Sequence, residues 1–108
     1  MTFRQTTTAD AMAAQATEVA GLLKTLAHPA RLMLVCSLVD REYAVSALEE
    51  ALGLHQPNLS QQLNVLREAG IVETRREGKQ IFYRLTGEKA ARLVEALHGI
   101  FCEEHARQ

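Results

Sequence analysis

The apolar positions of the chain follow a helical period, then a period of two, then a helical period again, and these changes divide it into elements. From Asp10 the spacing predicts a helix. Val19, Leu22, Leu23 and Leu26 fall at i, i+3, i+4 and i+7 on one face, with Asp10 placed to cap it. Residues 1–9, polar and threonine-rich, read as a flexible tail ahead of a single domain at 10–108. His28-Pro29 interrupts the helix, and Pro29 suits the first turn of the next. Ala30 to Arg41 is apolar nearly all round, as a central buried helix would be. A buried strand is the alternative for such a run, and its length and flanking Pro29 favour the helix.

Two short helices follow. In the first, Val45–Leu52, Ser46 and Glu49 have the spacing of a capping box, and Gly53 closes it. The second opens at Gln56-Pro57, buries Leu59, Leu63 and Leu66, and stops at Gly70. Beyond Gly70, Ile71–Arg75 and Gln80–Leu85 alternate as strands around a loop at 76–79. Thr86 or Gly87 then caps a last helix to about His105, with Leu93, Val94, Leu97, Ile100 and Phe101 apolar. The sum is a mainly α chain with a β-hairpin wing, a winged helix-turn-helix.

Composition changes this picture little. The chain has 108 residues, 47% of them hydrophobic and 23% charged, which are globular proportions. No apolar run approaches the roughly 20 residues of a membrane span, and residues 1–15 carry no apolar signal core. A cytoplasmic protein is expected, with no membrane partner. Two cysteines are too few for the disulfide framework of a small secreted fold. No nucleotide-binding glycine loop and no nucleophile–base set emerges, so an enzyme is not expected and no cofactor is implied.

Charge says more through its distribution. The net charge is −1 overall, yet residues 60–89 carry +2, between segments of −2 and −1. That local excess coincides with the second short helix and the hairpin. With the leucines of that helix turned inward, its other face shows Pro57, Gln61, Asn64 and Glu68, with Gln56, Asn58 and Ser60 near its start. Short amides and hydroxyls suit base edges in a major groove. The wing offers Arg75, Arg76, Lys79 and Gln80 to phosphates. Some winged helices are instead protein-interaction modules, so that alternative stays open.

The run AHPARLMLVCSL, followed by LGLHQPNLSQQLNVLREAGIVETRREGKQIFYRL, resembles the ArsR/SmtB-type winged helix transcriptional regulators over about residues 18–102. The resemblance implies a homodimer paired through the first and last helices, and a palindromic double-stranded DNA operator. Independently, the terminal helices hold more apolar positions than one small core needs.

Cys36 sits among Leu32, Val35 and Val39 on the second helix, so a largely buried thiol is expected; such a cysteine commonly behaves as a small hydrophobe. Cys102 lies near the end of the last helix, before Glu103 and Glu104. Residues 45–52 lack the paired cysteines of the metal-sensing branches. The two cysteine positions instead resemble the sulfide- and persulfide-responsive branch of BigR, SqrR and HlyU type. That resemblance implies that Cys36 and Cys102 join through a disulfide or short polysulfide when reactive sulfur species rise, lowering DNA affinity. A metal-responsive alternative uses the stripe Glu95, His98, Cys102 and His105, whose side chains are of zinc-binding types. His28 reads as a cap or loop residue.

Overall fold

The structure is a computed structural model, and it describes the backbone of residues 2–103 and the side chains of residues 8–101. Among these residues, five helices and a three-stranded antiparallel sheet follow in the order α1 (Thr2–Leu26), α2 (Pro29–Ser37), β1 (Tyr43–Ala44), α3 (Val45–Leu52), α4 (Asn58–Glu68), β2 (Val72–Glu77), β3 (Gln80–Leu85) and α5 (Glu88–Leu97). A π-helical stretch, His98–Glu103, continues α5. The expected winged helix-turn-helix is therefore present.

The core is built from one side of each helix. Leu26 of α1, Leu34 and Val35 of α2, Leu48 of α3, and Leu59, Leu63 and Leu66 of α4 bury with Leu38, Ile71, Val72, Ala90 and Val94. Helix α2 is central and touches α1, α3, α4 and α5. It is not buried all round, however. Leu32 and Met33 are exposed, because the four neighbouring helices cover only the side that carries Leu34 and Val35.

His28 caps α2, its Nδ1 accepting from the Ala30 N–H at 3.2 Å. Two expected caps differ. The α1 backbone is already helical at Thr2, so Asp10 lies within the helix. Helix α3 begins at Val45 with Ala44 at its cap position, so Ser46 forms no capping box. The short strand β1 supplies Ala44 in extended conformation, and the sheet, not a side chain, sets the start of α3.

The sheet order is β1-β3-β2. Strand β2 runs to Glu77, which pairs with Gln80. The hairpin loop is thus only Gly78-Lys79, and Arg76 lies in the strand opposite Ile81. Strand β1, which the residue pattern did not suggest, pairs Tyr43 with Tyr83 and Ala44 with Phe82.

Candidate nucleic-acid interface and thiol pair

Helix α4 shows the face expected of it. Leu59, Leu63 and Leu66 are fully buried, and Asn58, Ser60, Gln61, Asn64 and Glu68 are exposed. The amides do not all stand alike. The Gln56 side chain accepts from the Ser60 N–H at 3.0 Å and so satisfies an early amide of the helix. Asn58 Oδ1 accepts from Gln62 Nε2 at 2.9 Å. Gln61 and Asn64 sit one turn apart on the outer face, a spacing that lets both address one groove.

In the wing, Arg76, Lys79 and Gln80 are exposed around the hairpin tip. Arg75 is placed differently. Its guanidinium is shared between Glu42 and Glu77, with Nε at 2.7 Å from Glu42 and Nη1 at 2.6 Å from Glu77. It also lies over the Phe82 ring, 4.6 Å from the centroid. The hydrogen bonds from Arg75 hold the Glu42 carboxyl below its ordinary range, and the two carboxylates hold Arg75 more firmly protonated. On the same face Arg84 pairs with Glu73 across the strands. The cations left unpaired by carboxylates at the tip, among the described residues, are Arg76 and Lys79.

Cys36 is half-buried, not enclosed as expected. It lies on α2 near the boundary between the core side and the exposed Leu32–Met33 side. Helix α2 packs against α5, and the π-helical continuation of α5 contains Cys102 in its backbone. The Cys102 side chain, and all of His105, lie outside the described residues. Of the candidate metal stripe, Glu95 is exposed and His98 half-buried. Over His98–Glu103 the backbone is wound as a π-helix, a wider turn than the 3.6-residue period from which the stripe was drawn. Among the described residues, no group of three His, Cys, Asp or Glu side chains is placed to hold a metal ion.

Two interactions were not legible in the residue pattern. Arg31 of α2 donates to Gln62 of α4, and Glu42 of the α2–β1 connection anchors Arg75. Both join residues more than 30 positions apart, and no local spacing announces them.

An outward polar helix beside a hairpin with a cationic tip defines a winged helix-turn-helix protein of the DNA-reading kind. The chain belongs to the arsR family of bacterial regulatory proteins, whose family model matches residues 28–74. It is 70% identical over 92 residues to the biofilm growth-associated repressor of Agrobacterium fabrum, covering 85% of this chain and 79% of that one. The crystal structure of the transcriptional repressor BigR from Xylella fastidiosa matches at a TM-score of 0.83 and 64% identity, over 88% of this chain and 94% of that one. The homodimeric winged helix-turn-helix DNA-binding domain of Mb0332 from Mycobacterium bovis matches at a TM-score of 0.71 and 39% identity, over 90% and 89%. Within the family these likenesses place the chain in the BigR-like branch.

Proposed function

We propose that this chain is a homodimeric, cytoplasmic transcriptional repressor that reads a palindromic operator through α4 and the wing, and releases it when Cys36 and Cys102 become linked. The observation that carries the DNA-reading part is the pairing of exposed Gln61 and Asn64 on α4 with exposed Arg76 and Lys79 at the hairpin tip. The amides would meet base edges in the major groove, and the cations would meet phosphates. The 70% identity to a named repressor supports the same reading.

The switch rests on three observations: a half-buried Cys36, contact between α2 and α5, and Cys102 in the π-wound continuation of α5. π-Helical turns are rare and recur at functional sites. A low-molecular-weight persulfide, RSSH, supplies the oxidant. One cysteine thiolate attacks its outer sulfur and expels the thiol RSH, leaving a protein persulfide. The second thiolate attacks the cysteine-bound sulfur and expels hydrogen sulfide, closing the disulfide. The dithiol loses two electrons, and the sulfane sulfur is reduced to sulfide. Persulfidation of both thiols before closure would give a trisulfide by the same steps. The link would tie the last helix to α2. A tenfold fall in operator affinity requires only about 1.4 kcal/mol of differential binding.

Mobility shifts on DNA from upstream of the gene, with and without persulfide, test both parts. Gln61→Ala and Asn64→Ala should each lose roughly 1–3 kcal/mol of preference for operator over scrambled DNA. Arg76→Ala and Lys79→Ala should weaken binding to every sequence and flatten its salt dependence by about 0.9 in log–log slope each. Cys36→Ser and Cys102→Ser should bind normally and ignore persulfide. Persulfide-driven release from either serine variant refutes the thiol switch. Release by zinc that depends on His98 or His105 would put metal sensing in its place.

A further inference from the structure

The recognition helix is tied to the helices behind it by a chain of hydrogen bonds whose polarity is fixed from one end. Arg31 of α2 donates through Nη1 to the Thr25 carbonyl at 3.1 Å, in the last turn of α1. Its Nε donates to Gln62 Oε1 at 2.8 Å. Gln62 Nε2 donates in turn to Asn58 Oδ1 at 2.9 Å. Arg31 and Gln62 are half-buried, and Asn58 is exposed at the first position of α4.

A guanidinium has donors and no acceptor. The Gln62 atom that meets Arg31 must therefore be its oxygen, which turns its NH2 toward Asn58. The Asn58 atom that meets that NH2 must likewise be oxygen. Two amide orientations, ordinarily free to flip, are thus set by one arginine on another helix. Asparagine usually reads adenine by using its oxygen and nitrogen together. Here one lone pair of the oxygen is taken by Gln62 and its orientation is set from within the protein, which turns the Nδ2 amide, a pure donor, outward as the group to meet DNA.

We propose that Arg31 is a positioning residue for sequence reading: through Gln62 it holds Asn58 as a hydrogen-bond donor, so that Asn58 reads an acceptor on a base edge, such as purine N7, guanine O6 or thymine O4. The inference rests on α4 being the DNA-reading helix. It adds a fixed polarity to one contact, and it makes the α1–α2 junction part of the reading head. Arg31 itself touches no DNA.

The test is selection of duplexes from a randomised library by the full-length protein, followed by titration of the selected duplex and of its single-base variants. The variants are Arg31→Met, Arg31→Lys, Gln62→Glu and Asn58→Ala. Gln62→Glu keeps an acceptor for Arg31, and so keeps the helix junction, but removes the donor to Asn58. It therefore separates reading from folding if Arg31→Met proves unstable. At one base pair per half-site, Arg31→Met and Gln62→Glu should lose discrimination by about fivefold or more, as Asn58→Ala does. Arg31→Lys, which keeps a donor, should restore part of it. Adding Arg31→Met to Asn58→Ala should change nothing further at that position. Uniform weakening on all duplexes with every base preference intact overturns the proposal, since that is what a purely structural or phosphate-contact role gives. A wild-type protein that selects no sequence overturns the DNA-reading function and this inference with it. A wild-type motif left unchanged in Gln62→Glu overturns the inference alone.

Discussion

Arg75 shows how the environment of a residue redirects chemistry that its type suggests. On sequence it belongs with the phosphate-binding cations of the wing. In the fold it is held by Glu42 and Glu77 and stacked on Phe82, so it braces the hairpin against the α2–β1 connection. For Arg75 to reach a phosphate it would have to exchange a carboxylate for one. The pairing carries a pH dependence of definite sign. Hydrogen bonding to Arg75 keeps Glu42 ionised below its ordinary value of 4.5. A carboxyl whose pKa is depressed by folding stabilises the folded state above that ordinary value, and the contribution is lost as pH falls through the folded-state pKa. Glu42→Gln should therefore melt at a lower temperature than the wild type near neutral pH. The gap should close as the pH is taken below 4.5. The site is open to solvent, so the effect should be modest and should shrink with added salt. A gap that stays constant from neutral pH to well below 4.5 would show that the Glu42 charge has no part in it.

Among the elements, the junction between α4, β2 and α5 is the one whose geometry leaves least room for change. Gly70 ends α4 with the paired bonds of a Schellman motif: its N–H donates to the Arg67 carbonyl, and the Ile71 N–H donates to the Leu66 carbonyl, each at 3.0 Å. Gly87, at the start of α5, has φ +77°. A Cβ there would stand 3.1 Å from the Gly70 carbonyl oxygen. The angle between α4 and α5 thus depends on two glycines that approach too closely for a side chain at Gly87. Gly87→Ala should cost about 1–3 kcal/mol, read as a lower urea midpoint at unchanged slope; an unshifted midpoint would mean the junction is slack. Helices α4 and α5, the wing and the inward leucines were legible because each obeys a single local period. The start of α3 was not, because β1 pairing sets it in place of the Ser46–Glu49 box. The half-exposure of Cys36 was not either. An apolar run of α2's length says that a helix is buried, but not on which side its neighbours stop. The outer amides Gln61 and Asn64 were readable from the leucine stripe alone, whereas the Arg31–Gln62 bond, between two helices, was not.

For the molecule as a whole, the decisive feature is how much of α1 stays exposed. Every described side chain from Thr8 to Gly21 is exposed. The Cα radius of gyration is 16.5 Å, against about 13 Å for a compact domain of this length. An unsupported helix is marginal in water, so α1 needs a surface to lie on. The apolar exposure is concentrated where one would form. Val19 and Leu23 of α1 are 43% and 48% exposed, and Ile100 and Phe101 beyond α5 are 56% and 68% exposed. Between α1 and α5 runs a groove lined by Val19, Leu22 and Leu93, with Lys89 and Arg92 at its edge. The Lys89–Glu18 ion pair bridges the same two helices. A second copy laying its α1 and last helix across this face would cover the apolar side chains. Two-fold pairing would then set two α4 helices against successive turns of one DNA face, about 34 Å apart. The wild type should sediment as a dimer at micromolar concentration. Leu23→Glu, which puts a charge at the centre of the apolar stripe, should sediment as a folded monomer. Loss of the second half-site should then weaken operator binding at least about 100-fold, while leaving the weak binding to a single half-site in place. A wild-type monomer at that concentration, or a Leu23→Glu variant that keeps both the dimer and full operator affinity, would show that α1 is covered by something other than a second copy of this chain.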